Sequence, residues 1–177
     1  MKRIKPIYLI IIIFILVAIV TLQYRDNVKI RTQQGGLVQN NILMLQTQLK
    51  FDLKYFSSTK IPQKEYIDRA NGRFSGDTTL LNGIMYSPMP LEYLSMITID
   101  LSRMSSNIKN KEPEKELIAT KQLVINKITV LLNEINYIRE NCKTNNIKYY
   151  QLSKSNNSIM TKVDKEMLDY LNKNHIH

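Results

Sequence analysis

Two hydrophobic patterns divide this chain. From Ile7 to Leu22, IYLIIIIFILVAIVTL, apolar residues run on with no charge, Gly or Pro among them, whereas from Val38 onward they recur every three or four residues. The first pattern suits a helix that presents hydrocarbon on every face and satisfies its own backbone hydrogen bonds, as a bilayer requires. At ~1.5 Å per residue the run reaches about 24 Å, a little less than a ~30 Å hydrocarbon core. Tyr8 and Tyr24 at the two headgroup levels, with Lys5 and Arg25 reaching outward, make up the difference. The chain therefore divides into a basic tail (1–6), a transmembrane anchor (7–23), a juxtamembrane segment (24–36), a helical body (37–172) and a flexible tail (173–177).

The second pattern predicts helices. Val38, Ile42, Leu45, Leu49, Leu53 and Phe56 form one apolar stripe, giving a helix over 37–57 that ends before Pro62. Ahead of it, Gln33-Gln34-Gly35-Gly36 predicts a joint, because paired glycines weaken a helix and permit a hinge. Leu94, Ile97, Leu101, Met104 and Ile108 keep a 3-4-3-4 spacing over 90–109, with Pro90 in the first turn. The cleanest periodicity follows over 114–142: Leu117, Lys121, Val124, Ile128, Leu131, Ile135, Ile138 and Cys142, opened by Pro113 with Glu114 and Glu116 at the positive end of the helix dipole. After a stop at Asn141 to Asn146 and a less regular stretch, a last helix covers 158–172, with Met160, Val163, Met167 and Tyr170 on one face. The fold class is all-α, a single transmembrane helix followed by a four-helix-bundle-like domain.

Residues 59–90 are the least regular part. Pro62, Asn71-Gly72, Ser75-Gly76-Asp77, Asn82-Gly83 and Ser87-Pro88-Met89-Pro90 punctuate them. A short helix over 63–70 is expected, then a turn at Asn71-Gly72-Arg73. Beyond it comes either a hairpin about Asn82-Gly83 or, ranked above it, a short helix from Asp77 that breaks at Gly83. A segment of this kind on a helical scaffold is where specific recognition is expected.

Charge adds direction. The chain holds 25 basic and 15 acidic residues, and without Lys2, Arg3 and Lys5 there remain 22 against 15, so the excess belongs to the body as well as to the tail. The charges crowded before the apolar run, with the terminal amine, orient the N-terminus to the cytoplasm and the body outside a cell membrane, single-pass. The run lacks the small residues of a cleavage site, Ala18 and Val20 being the best pair, and an uncleaved anchor is expected. Partners follow from the same features: the lipid bilayer, a protein partner or further copies of the chain, and an anionic envelope surface for the basic excess. Nucleic acid is disfavoured, since no RNA-binding, zinc-finger or basic-zipper pattern occurs. The wealth of Ile, Lys and Asn resembles that of proteins from AT-rich bacterial genomes.

Candidate chemistry is thin. No HExxH, GxSxG, phosphate loop or EF-hand occurs, and the two histidines, His175 and His177, lie in the tail. Cys142 is the single cysteine and reads as a small buried residue. The Glu112, Glu114 and Glu116 group serves a helix start, and Asp52 and Asp100 lack the ExxH companion of a di-metal bundle. Ten tyrosines read as amphipathic edges of the core. No catalytic residue, cofactor or metal site is assigned, and the chain is read as a non-enzyme acting by protein contact or self-assembly at the cell envelope. Two alternatives stand beside that reading: an extracytoplasmic ligand-sensing bundle signalling through a partner, and a helical effector released by cleavage.

Overall fold

The computed structural model describes residues 6–82, 88–154 and 157–173, with side chains from residue 11 onward. Among them there are six helices and no strand: α1 (Pro6–Ser58), α2 (Lys64–Asn82), α3 (Pro88–Lys109), α4 (Glu114–Cys142), α5 (Asn146–Gln151) and α6 (Ser158–Lys173). α1 holds 53 residues, about 80 Å of helix. It is the one helix among the described residues long and apolar enough to cross a membrane. The large apolar side chains from Ile11 to Leu22 are 45% to 73% exposed, so nothing in the fold covers them. Thr21 turns its hydroxyl back onto the Val17 carbonyl at 2.7 Å, which leaves no free donor on that stretch of helix.

The rest of α1 changes character one face at a time. Val38, Ile42, Leu45, Leu49 and Phe56 are buried, as their spacing predicts, against α4 and α5. α3 packs between α2 and α4, and α6 closes over α3 and α4. The predicted seams face inward: Leu94, Ile97, Leu101 and Met104 of α3 are fully buried, as are Val124, Ile128, Leu131, Ile135 and Ile138 of α4. Lys121 leaves the α4 seam and sends its ammonium to the carbonyls of Thr59 (2.8 Å) and Lys60 (3.3 Å), just past the end of α1. A cation there complements the negative end of the helix dipole. Tyr93 of α3 donates to the Met167 carbonyl of α6 at 3.1 Å.

Local signals set the helix ends. Two residues past the end of α3, Lys111 takes φ 55°, and the Glu112 amide donates to the Asn107 carbonyl at 2.9 Å. Pro113 stands at the N-cap of α4, one position before the first turn, and Glu114 and Glu116 follow it. Asn157 caps α6 by accepting from the amides of Ile159 (3.0 Å) and Met160 (3.2 Å).

Three expectations are corrected. The paired glycines do not interrupt α1, which runs straight through them. Gly35 is a contact instead: a Cβ built there would lie 1.7 Å from the Asn146 carbonyl oxygen, so α5 touches α1 backbone to backbone. Secondly, residues 64–82 are one helix in place of a short helix and a break, and Asn71-Gly72-Arg73 is helical where a turn was expected. The reason is burial: Ile67, Ala70, Phe74 and Leu81 are drawn into the core, and this outweighs the ~1 kcal/mol per residue that Gly72 and Gly76 cost a helix. The first strand of the hairpin alternative, Thr78 to Leu81, is likewise helical, and Asp77 lies inside α2 where a helix start was expected; the expected break at Gly83, the second strand of the hairpin and the tail histidines lie outside the described residues. Thirdly, α5 forms in the stretch read as irregular, started by the Asn145 side chain, which accepts from the Lys148 amide at 3.1 Å.

Candidate functional site

Where α2 passes beside α1 the two leave an open groove of about 590 Å³. Its α1 wall is Leu43, Met44, Thr47, Gln48 and Phe51, and its α2 wall is Arg73 and Asp77. A second, much smaller pocket shares Met44 and Asp77 with it and is lined otherwise by Asn41, Leu45, Leu80 and Leu81. The walls are mostly hydrocarbon: Met44 is 70% and Phe51 63% exposed. Side chains this apolar and this open are the feature of a surface that asks for an explanation.

A polar network lies at one end. Asp52 is fully buried, and its Oδ1 accepts from the Tyr66 hydroxyl at 2.5 Å and from Arg73 Nη2 at 2.6 Å. Tyr66 stacks on Tyr55 with ring centroids 3.4 Å apart, and the Arg73 guanidinium lies 5.6 Å from the Tyr66 ring centroid. Burial, then the hydrogen bond to Asp52, drives the Tyr66 phenol well above its ordinary range. Asp77 is raised too, chiefly by burial, with Gln48 and Arg73 pulling the other way. Gln48 Nε2 and Asp77 Oδ2 are shut off from water and have no hydrogen-bond partner of standard geometry among the described residues. The groove thus offers a mainly apolar α1 wall and, on α2, one cation already matched to Asp52 and the Asp77 carboxylate. Thr47 supplies its one hydroxyl, which donates to the Leu43 carbonyl at 2.9 Å.

The other residues weighed in the sequence lie apart from the groove. Asp100 pairs with Lys127 at 2.6 Å inside the α3–α4 contact, where both side chains are less than a tenth exposed. Gln46 joins α1 to α4 by hydrogen bonds to Asn136 and Arg139. Glu114 meets Lys60 at 2.8 Å on the surface, and Glu112 and Glu116 are exposed. Cys142 is buried, and burial pushes its thiol up to about 11. No group of three or more His, Cys, Asp or Glu side chains that could hold a metal ion occurs among the described residues.

No known family model, curated protein or solved structure matches this chain. Its geometry alone carries the functional reading. Sequence reasoning weighed Asp52 for a metal site, placed Arg73 in a turn and Asp77 at a helix start, and assigned neither of these nor Gln48 to a site. The signal was there: Asp52 falls beside Leu49, Leu53 and Phe56 on the apolar stripe, and a carboxylate on a buried face needs a cation from elsewhere in the fold.

Proposed function

We propose that this chain is a membrane-anchored helical protein that works by protein contact at a cell envelope. In this reading the N-terminus is cytoplasmic, Ile7 to Leu22 cross the bilayer, and the helical body stands outside. The single observation that carries it is the continuity of α1, which joins the uncovered apolar run to the packed body with no break between them. A helix of this kind sets the height and orientation of the body above the bilayer. Five residues of the groove, Leu43, Met44, Thr47, Gln48 and Phe51, lie on this helix, so a contact made there is made at a fixed height.

Protease accessibility in intact cells, combined with mass spectrometry of crosslinked neighbours, tests the reading. The expected result is a body cut from outside and recovered with neighbouring proteins. A body protected from external protease, or one with no crosslinked neighbour, overturns it. One observation favours a second reading as a ligand sensor: a groove of about 590 Å³ falls within the ~300–1,000 Å³ of small-molecule sites. A thermal shift screen with metabolites separates the two, because a ligand at 100 times its dissociation constant stabilises by about 2.7 kcal/mol.

A further inference from the structure

On the outer side of α1, Ile30, Leu37, Met44 and Phe51 follow one another at intervals of seven residues, and they are 50%, 64%, 70% and 63% exposed. Seven residues are two helical turns less about 20°, so the four side chains form one column that winds slowly around the helix. The column lies roughly a third of a turn from the buried face of Val38, Ile42, Leu45 and Leu49. Two amide-rich columns run beside it at the same interval: Gln33, Asn40 and Thr47, and Gln34, Asn41 and Gln48. Met44 and Phe51 also form part of the groove wall beside α2, with Phe51 tilted against Tyr66 at 6.4 Å between ring centroids, yet the four side chains of the column stay at least half exposed.

We propose that this face is where a second copy of the chain docks, α1 against α1, parallel and in register. The inference rests on the protein-contact reading above and names the partner. A sustained seven-residue apolar interval is the period at which parallel helices wind around each other with a left-handed twist. The charge pattern admits a like partner. The protein carries a formal net charge of +10, yet residues 32–49 contain no charged side chain, and of the α2 groups beside Met44 and Phe51 the Arg73 cation is already paired with Asp52, so α1 itself sets no like charges against each other over this stretch. At the ends of the face a parallel pairing sets Lys29 near Gln34 and Lys50 near Tyr55 of the other copy, while Lys54, seven residues after Thr47, closes the flanking column with a cation and bounds the face at that end.

Register comes from the anchor. Copies inserted in one bilayer with one orientation hold their α1 helices parallel and at equal height, so Leu37 meets Leu37 and Met44 meets Met44. Gln23 and Leu16 continue the column toward and into the apolar run, which extends the same face along the helix. Four side chains of roughly 200 Å² each, about half to two-thirds exposed, offer on the order of 500 Å² per copy, below the ~800 Å² of a standard free-solution interface. Confinement of both partners to one membrane raises their effective concentration, and a modest interface suffices.

Cysteine crosslinking in native membranes tests the pairing on the full chain. Cys142 is buried with its thiol raised to about 11, so the natural protein serves as a silent background. Leu37→Cys, Met44→Cys and Phe51→Cys, oxidised with copper phenanthroline, are each expected to give several-fold more disulfide dimer than Ile99→Cys, which is 65% exposed on α3. Dimer at all three heights supports a parallel pair, and dimer at only one height overturns it. Met44→Lys, at a position too exposed to disturb folding, is expected to halve the mass of the mild-detergent particle with an unchanged circular dichroism spectrum. A monomeric natural protein in detergent, together with stripe cysteines no more reactive than Ile99→Cys, sinks the proposal. Should lysine crosslinking then still retrieve other proteins, the contact reading stands with a different partner; should it retrieve none, that reading falls as well.

Discussion

Replacing Gly35 by alanine separates two accounts of the paired glycines. If they form a flexible joint, Gly35→Ala and Gly36→Ala act alike, each stabilising the helix by about 1 kcal/mol. The structure makes them opposites. A Cβ at Gly35 would stand 1.7 Å from the Asn146 carbonyl oxygen and 2.5 Å from its carbon, whereas real contacts of this kind stay above 3.0 Å. Both neighbours are backbone, so α5 has to retreat by more than 1 Å, and Tyr149 and Leu152, now 1% and 0% exposed, lose part of their burial. Each such side chain is worth about 2 kcal/mol when buried, so partial undocking costs roughly 2–4 kcal/mol against a helix gain of about 1. The net loss of about 2 kcal/mol lowers Tm by roughly 4–8 °C in a protein of this size.

At Gly36 the nearest atom is the Asn146 side-chain amide at 3.4 Å, which can swing aside, so Gly36→Ala is expected to hold or raise Tm by about 2 °C. Thermal unfolding of the three full-length proteins in one detergent reads the difference. Hydrogen exchange over 146–152 locates it, with faster exchange expected in Gly35→Ala alone. A Gly35→Ala protein as stable as Gly36→Ala, with α5 equally protected, would refute the close-contact account.

Further perturbations probe the polar interior. Lys127→Met strands Asp100 in the α3–α4 contact and is expected to destabilise by about 3–5 kcal/mol, while Asp100→Leu with Lys127→Met recovers most of the loss in a denaturant titration. Burial and then Glu166 raise the Glu134 carboxyl from 4.5 to about 7, with Lys162 opposing. Between those pH values the folded state binds more protons than the unfolded one, so this group's contribution to stability falls as pH rises from about 4.5 to 7. Glu134→Gln should therefore match the natural protein near pH 4.5 and exceed its Tm by a few degrees at pH 8, about 1–2 kcal/mol after solvent screening; no gain at pH 8 contradicts the assignment. Cys142 in the folded protein is expected to resist a thiol reagent at pH 8 and to react once denatured, and prompt labelling of the native chain would show the site to be open.

Much of the helical framework is legible in the residue pattern. The inward faces of α3 and α4 follow from spacing alone, because a helix repeats every 3.6 residues wherever it packs. The end of α3 and the start of α4 follow from Lys111-Glu112-Pro113 and the glutamates after it. By contrast, α2 was obscured by Gly72 and Gly76, whose propensity is a local quantity that cannot register the burial of Ile67 and Phe74 against α3. The seven-residue column on α1 was written in the chain, but an apolar residue in a sequence carries no mark of whether the fold covers it. Met44 and Leu45 are neighbours of similar character; one is 70% exposed and the other 2%.

By itself the sequence determined what depends on composition and period: an apolar run long enough for a bilayer, the helices with regular seams, and the sign of the charge. Tertiary structure alone decided which groups meet across the fold. Arg73 reaches Asp52 from 21 residues away, Lys127 reaches Asp100 from 27, and Gly35 receives the backbone of α5 from more than a hundred positions along the chain. The physical reason is that periodicity is set by the geometry of one helix, whereas ion pairing, close approach and exposure are set by how separate helices pack in three dimensions.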